Sequence, residues 1–179
     1  VKLEITVEAQ KFEESIKTVF NKNAKYFNIP GFRKGKAPYH IVEKTYGAQI
    51  FYEDAFNEIA GEAYENALKE NNNAQIFLDL SGVSGLTVIP QEAFAYNSSL
   101  VEITLPDGIT TIESWCFGLC GNLQSITIPS SVERIQNCAF IYCQNLTDIS
   151  ISGYNFIVEN NAIYTADETT LVAYPSASG

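Results

Sequence analysis

The sequence predicts an α+β chain in two parts: a small strand-plus-helices unit over residues 1–70, then a short solenoid closed by a C-terminal hairpin. Three observations predict it. Before position 70, apolar residues recur with helical spacing. From Leu86 onward the sequence resembles itself at a period of 23. The charge divides at the same place: residues 1–70 hold ten Lys/Arg and eleven Asp/Glu, whereas residues 71–179 hold Arg134 and ten Asp/Glu.

Leu3-Glu4-Ile5-Thr6-Val7 alternates apolar and polar residues, as a half-buried strand does. From about Ala9 to Phe27, the residues Phe12, Ile16, Val19, Phe20 and Phe27 fall on one helical face. A turn-rich stretch follows, Ile29–Pro38. Pro30-Gly31 reads as a tight turn, because Pro presets φ and Gly accepts a positive φ. Gly35 is a second break, and Pro38 suits the start of a short helix running to about Tyr46 and closed by Gly47. A long helix is expected from Ala48 to Glu70, with Ile50, Phe51, Ala55, Ile59, Ala63, Ala67 and Leu68 as its apolar stripe and Asn71-Asn72-Asn73 as its end.

Between the two breaks, Phe32, Arg33, Lys34 and Lys36 are pushed into solvent. Residues 15–42 carry six cations and no acid inside a chain of net charge −10. Such a patch attracts a polyanion; the plain alternative is a solvated connection. The motif Gly31-Phe32-Arg33-x-Gly35-Lys36-x-Pro38 resembles the ribosome-docking loop of the bacterial trigger factor N-terminal domain. So do Ala9–Glu14 before it, and Tyr46-Gly47 and Phe51–Ala55 after it. The resemblance covers about residues 1–70. It implies a ribosome partner at the exit-tunnel region, RNA and protein, met by Phe32, Arg33 and Lys34. Gly31 and Gly35 would keep the tip bare, and Lys36 with the helix cations Lys22 and Lys25 would add field. That family's domain also has a strand before Leu3–Val7 and strands after the long helix, and neither is recognisable here. Its isomerase domain and helical arms are not recognisable within these 179 residues either. Strand 3–7 is therefore expected to lack a partner within residues 1–70, and to pair with the second part or, by self-association, with another chain.

The period aligns Leu86/Ile109/Val132, Ile89/Ile112/Ile135, Phe94/Phe117/Phe140, Leu100/Leu123/Leu146, Ile103/Ile126/Ile149 and Leu105/Ile128/Ile151. Units of this length with Leu-x-x-Ile-x-Ile strands make a leucine-rich-repeat solenoid, in which neighbours share one core. Ile76–Leu80 supplies a half-unit ahead of it. The divisions are a linker and half-repeat cap over 71–85, three repeats over 86–154 and a hairpin cap over 155–179. Wording such as Cys116-Phe117-Gly118-Leu119-Cys120-Gly121-Asn122-Leu123 resembles BspA-like leucine-rich repeats, over about residues 83–175. The tail Phe156–Pro175 resembles that family's hairpin, turning at Ala166–Thr169. The resemblance implies a scaffold for a protein partner and no chemistry, and the family is common on bacterial cell surfaces. Parallel strands are expected at about 100–105, 123–128 and 146–151. Glu102, Ser125 and Asp148, with Thr104, Thr127 and Ser150, would then point outward. These columns are the candidate face for a polar or basic partner, the alternative being a plain solvated surface.

The cysteines form two pairs, Cys116-x3-Cys120 and Cys138-x4-Cys143. Cys120 and Cys143 share a column with Asn97, Cys116 one with Ala93 and Ala139, and Cys138 one with Glu92 and Trp115. Ligands on separate columns do not converge tetrahedrally, so these read as structural thiols rather than a metal site. A Cys120–Cys143 bridge is within geometric reach. His40, the single histidine, cannot build a triad and reads as a surface residue or a phosphate contact. No apolar run reaches 18 residues, so no membrane insertion is expected. No secretory leader opens the sequence and it contains no Met, so it reads as a trimmed piece. No cofactor and no enzymatic activity are expected. The first functional reading is a cytoplasmic, chaperone-associated ribosome-docking module carrying a repeat interaction surface. The alternative is a bacterial cell-surface interaction or adhesion protein whose first part is a structural cap, or an engineered fusion.

Overall fold

The computed structural model describes residues 2–70 and 74–175, without the side chains of 48, 62–65 and 67–70. The expected helix end at Asn71-Asn72-Asn73, and the stripe side chains of Ala63, Ala67 and Leu68, lie outside the described residues.

The chain opens with β1 (Lys2–Thr6), passes through α1 (Ala9–Asn23), α2 (Tyr39–Tyr46) and α3 (Tyr52–Glu70), and returns as β2 (Gln75–Asp79). β2 runs parallel to β1, pairing Lys2 with Gln75 through to Thr6 with Asp79. This answers the question of the solitary strand. Of the two pairings expected for residues 3–7, the chain makes the internal one. The segment assigned above to a half-repeat is also the strand that follows the long helix. Among the described residues one edge of β1 stays open, since the sheet order is β1-β2-β4-β6-β8.

Six strands follow: β3 (Val88–Ile89), β4 (Leu100–Thr104), β5 (Thr111–Ile112), β6 (Ser125–Ile128), β7 (Arg134–Ile135) and β8 (Asp148–Ile151). β4, β6 and β8 extend the β1–β2 sheet, all parallel, and β3, β5 and β7 make a second parallel sheet. The 23-residue columns are thus strand register: Glu102 faces Ser125, which faces Asp148, and Ile103 faces Ile126, which faces Ile149. β6 and β8 begin two residues later than expected, and the short second sheet was not anticipated. β9 (Phe156–Glu159), β10 (Ala162–Thr165) and β11 (Leu171–Ala173) form the terminal antiparallel sheet. Its second turn lies at 166–170, where Asp167 accepts from the hydroxyls of Thr165 and Thr169.

Each coil bends around a phenylalanine. Phe94, Phe117 and Phe140 stack almost parallel, 5.2 and 5.3 Å apart. The bend needs left-handed backbone at two positions per coil: Glu92, Trp115 and Cys138 in one column, Tyr96, Leu119 and Tyr142 in the other, with φ between 59° and 63°. L-residues resist that conformation. Coil-to-coil bonds hold it, as Tyr96 N–H donates to Gly118 O and Leu119 N–H to Ile141 O, both at 2.8 Å.

One hydrophobic core runs from Phe12 of α1 to Ile163 of β10. The joint between the two parts is Phe56 of α3, which meets Phe94 of the first coil edge-on at 5.7 Å. Ile50, expected on the stripe of the long helix, sits instead in the 3-10 turn Ala48–Phe51 and is 39% exposed. The helix proper starts later, and Phe51 takes the buried place.

Candidate docking loop and sheet face

The basic loop is closed at its base by aromatic packing. Phe27 and Tyr39, at its two ends, both rest on Phe51, at 5.6 and 5.8 Å, and Phe20 packs on Tyr39 and Phe51. Burial, and then a hydrogen bond to Glu43, push the Tyr39 phenol up to about 12. Just inside these ends, Ile29 and Ala37 are buried pegs.

Two turns shape the tip. Phe32 N–H donates to Ile29 O at 3.1 Å, with Gly31 at φ +87°, as the third position of a Pro-Gly turn requires. Lys36 N–H donates to Arg33 O at 2.9 Å, with Gly35 at φ +72°. Gly35 N–H also donates to Phe27 O, tying the second turn to the base. Gly35 is therefore not part of a bare tip. A Cβ there would stand 2.8 Å from Lys25 Cα, so its smallness serves internal packing. Gly31 has open space around it. Phe32 is 41% exposed, and Arg33, Lys34 and Lys36 are exposed beside it. Of the helix cations expected to add field, Lys22 is paired to Glu58 at 2.7 Å, while Lys25 lies over the Tyr26 ring, 4.9 Å from its centroid. His40 is exposed one residue after Tyr39.

The second candidate surface is the face of the five-stranded sheet turned from the core. Glu102, Thr127, Asp148 and Ser150 are exposed there, and Thr104 and Ser125 half-buried. Because β1 and β2 continue the sheet, Glu4 and Phe77 extend the Glu102 column, and Thr6 and Asp79 extend the Thr104 column. Sequence reasoning missed these residues, since they belong to segments assigned to different parts of the chain.

The family model described as "Bacterial trigger factor protein (TF)" matches residues 1–100, and "BspA type Leucine rich repeat region" matches residues 58–177 in six copies. The chain belongs to both families. Trigger factor of Clostridium kluyveri is 65% identical over 72 residues, and those of Ruminiclostridium cellulolyticum and Clostridium botulinum are 56% identical. Each match covers 40% of this chain and 17% of the relative, so the chain spans a small part of the curated relatives it matches. A solved leucine rich cell surface protein from Faecalibacterium prausnitzii A2-165 is 31% identical, covering 44% of this chain and 26% of that one, with a TM-score of 0.39. The two family matches overlap over 58–100, the stretch that contains β2. β2 lies within both matched ranges and carries the sheet from β1 to β4.

Within the leucine-rich repeats all four thiols are free, and Cys116, Cys120 and Cys143 are fully buried. The Asn97/Cys120/Cys143 column works in two ways. Asn97 Oδ1 accepts from Leu100 N–H at 2.9 Å, capping its own turn. Cys120 and Cys143 donate their thiols back to Phe94 O and Phe117 O, at 2.9 and 3.0 Å. Burial pushes both thiols up to about 12 and Cys116 well above its ordinary value. A column of asparagines also escaped the sequence reading: Asn122 Nδ2 donates to Ser98 O, and Asn145 Nδ2 to Gly121 O. Among the described residues no three His, Cys, Asp or Glu side chains are placed to hold a metal ion, and no helix is long and apolar enough to cross a membrane.

Proposed function

We propose that this chain is a ribosome-docking module of trigger-factor type that carries a leucine-rich-repeat face for a protein partner. The observation behind it is the loop's pre-shaped form: two turns and an aromatic base present Phe32, Arg33, Lys34 and Lys36 on one tip. Arg33 can grip a phosphate through two parallel N–H bonds, and Lys34 and Lys36 act as point charges. Phe32 can pack or stack once the cations have steered the encounter. A loop already ordered loses little conformational freedom on binding. The trigger-factor N-terminal unit and the leucine-rich repeats are of binding-module type, which supports a role in binding, and docking at the exit region would put that work in the cytoplasm. On the repeats, Glu102, Thr104, Ser125, Thr127, Asp148 and Ser150 offer hydrogen-bonding groups and negative charge to a polar or basic protein segment.

Co-sedimentation with ribosomes over a salt series tests the docking. Three neutralised phosphates would give log K against log salt a slope of about −2 to −3. Changing Phe32, Arg33 and Lys34 to Ala should remove most of the affinity and leave the fold intact. Equal sedimentation of the triple variant would refute the assignment of the loop.

A second reading has one observation in its favour. The β1–β2 unit lies against the first coil, with Phe56 on Phe94, as the end cap of a solenoid must. If the wild-type chain fails to sediment even at low salt, the capped interaction protein of a cell surface is the better reading.

A further inference from the structure

We propose that the sheet face over β1, β2 and β4 captures a lysine or arginine side chain from an extended cationic segment, at the place where Lys2 now lies. The proposal rests on the sheet-face reading above and names the chemistry of its partner.

The outward column there reads Glu4, Phe77, Glu102 across three adjacent strands. An aromatic ring flanked by two carboxylates is a receptor for a cation: the ring face and both anions attract the same charge. Lys2 already occupies it. Its Nζ sits 4.1 Å from the centroid of Phe77 and 2.9 Å from Glu4 Oε1. The ammonium shows which group the site accepts, and its hold is weak. Both members of the Lys2–Glu4 pair are more than half exposed, and such surface pairs contribute little. A tethered cation held this loosely can be exchanged for one arriving on a partner.

Two features set Phe77 apart from a chance surface aromatic. It points away from the core that Ile76 and Leu78 enter, and the other coils carry Ser125 and Asp148 in its column. The register between β2 and β4 also slips at Ile76/Phe77, and an irregularity of this kind re-aims a side chain. With Lys2 displaced, the described residues of the face present Glu4, Asp79, Glu102 and Asp148 and no cation, so charge complementarity selects a basic segment.

Fluorescence anisotropy with a labelled ten-residue peptide of alternating Arg and Ser, against its Glu counterpart, tests this. The Arg peptide should bind and the Glu peptide should not. Phe77→Leu should weaken binding about 2- to 5-fold, the scale of one exposed cation–π contact. Lys2→Ala should tighten it by a similar factor, an effect that a merely structural role for Lys2 would not produce. Far-UV circular dichroism checks that each variant folds. If Glu102→Lys with Asp148→Lys abolishes binding while both Phe77→Leu and Lys2→Ala leave it unchanged, the face binds but this site is refuted. If no variant alters binding, or the Arg peptide does not bind, the sheet-face reading fails along with it.

Discussion

Phe56 of α3 and Phe94 of the first coil meet edge-to-face at 5.7 Å, and Phe94 then begins the stack continued by Phe117 and Phe140. The helical unit and the repeats are joined through this ring pair and through the β1–β2–β4 sheet, so they should unfold together. Trp115, the single tryptophan, reports on the repeats, and ellipticity at 222 nm reports chiefly on the helices. In urea the two signals should trace one transition. Phe94→Ala should cost about 3–5 kcal/mol and lower both signals' midpoints alike. Two separated transitions in the wild type would show that the parts are independent.

Ile126 is fully buried at the centre of the repeat sheet, between Ile103 and Ile149. Ile126→Ala should cost about 2–5 kcal/mol, measured by the same melts. A change near zero would contradict its place in the core.

The two loop glycines should respond differently to a methyl group. Gly31→Ala meets only the conformational cost of positive φ, about 1–2 kcal/mol. Gly35→Ala meets that cost and a backbone clash with Lys25 as well. It should be the more destabilising in urea and should weaken ribosome co-sedimentation more than Gly31→Ala does. Equal effects would mean that the second turn does not lean on Lys25.

In the native protein a thiol reagent should modify Cys138 alone, and after unfolding without reductant it should find four thiols. Two thiols after unfolding would indicate a bridge instead.

Alkaline pH should destabilise the fold through the buried thiols. Cys120 and Cys143 rise from the ordinary 9.0 to about 12 in the folded chain. Below 9 both states keep these protons and the contribution to stability is fully present. Above 9 the unfolded chain ionises first, so stability is lost as pH rises toward 12, by up to about 1.4 kcal/mol per pH unit for each thiol. Replacing Cys120 and Cys143 by Ala should flatten that slope between pH 9 and 11, read from urea melts. An unchanged slope would assign the alkaline loss to other groups.

What the sequence disclosed followed from what each pattern encodes. The columns through Ile103 and Phe94 recur in every coil, so one alignment revealed register, core and strand direction together. Pro30-Gly31 revealed its turn because the chemistry is local. Pairing of β1 with the second part was one of two expectations, but β2 as the partner strand was not legible, because 68 residues lie between Thr6 and Gln75 and no repeat connects them. For the same reason Glu4 and Phe77 could not be placed beside Glu102, and the sheet face looked shorter than it is. The inward role of Gly35 was hidden as well, since the surface it meets is made by Lys25, on the far side of the loop's own base.

The helical unit touches the array through its first coil, and each later coil meets only its neighbours, in the strand order β4-β6-β8. Array length is therefore a free parameter of the architecture. Inserting or deleting one 23-residue unit between Pro106 and Pro129 would leave the loop and its aromatic base as they are. It would move the terminal hairpin by one strand spacing, about 5 Å, relative to whatever holds the loop. The chain has the form of a ruler: one end fixes the origin, and the number of coils sets how far from that origin the other end is held.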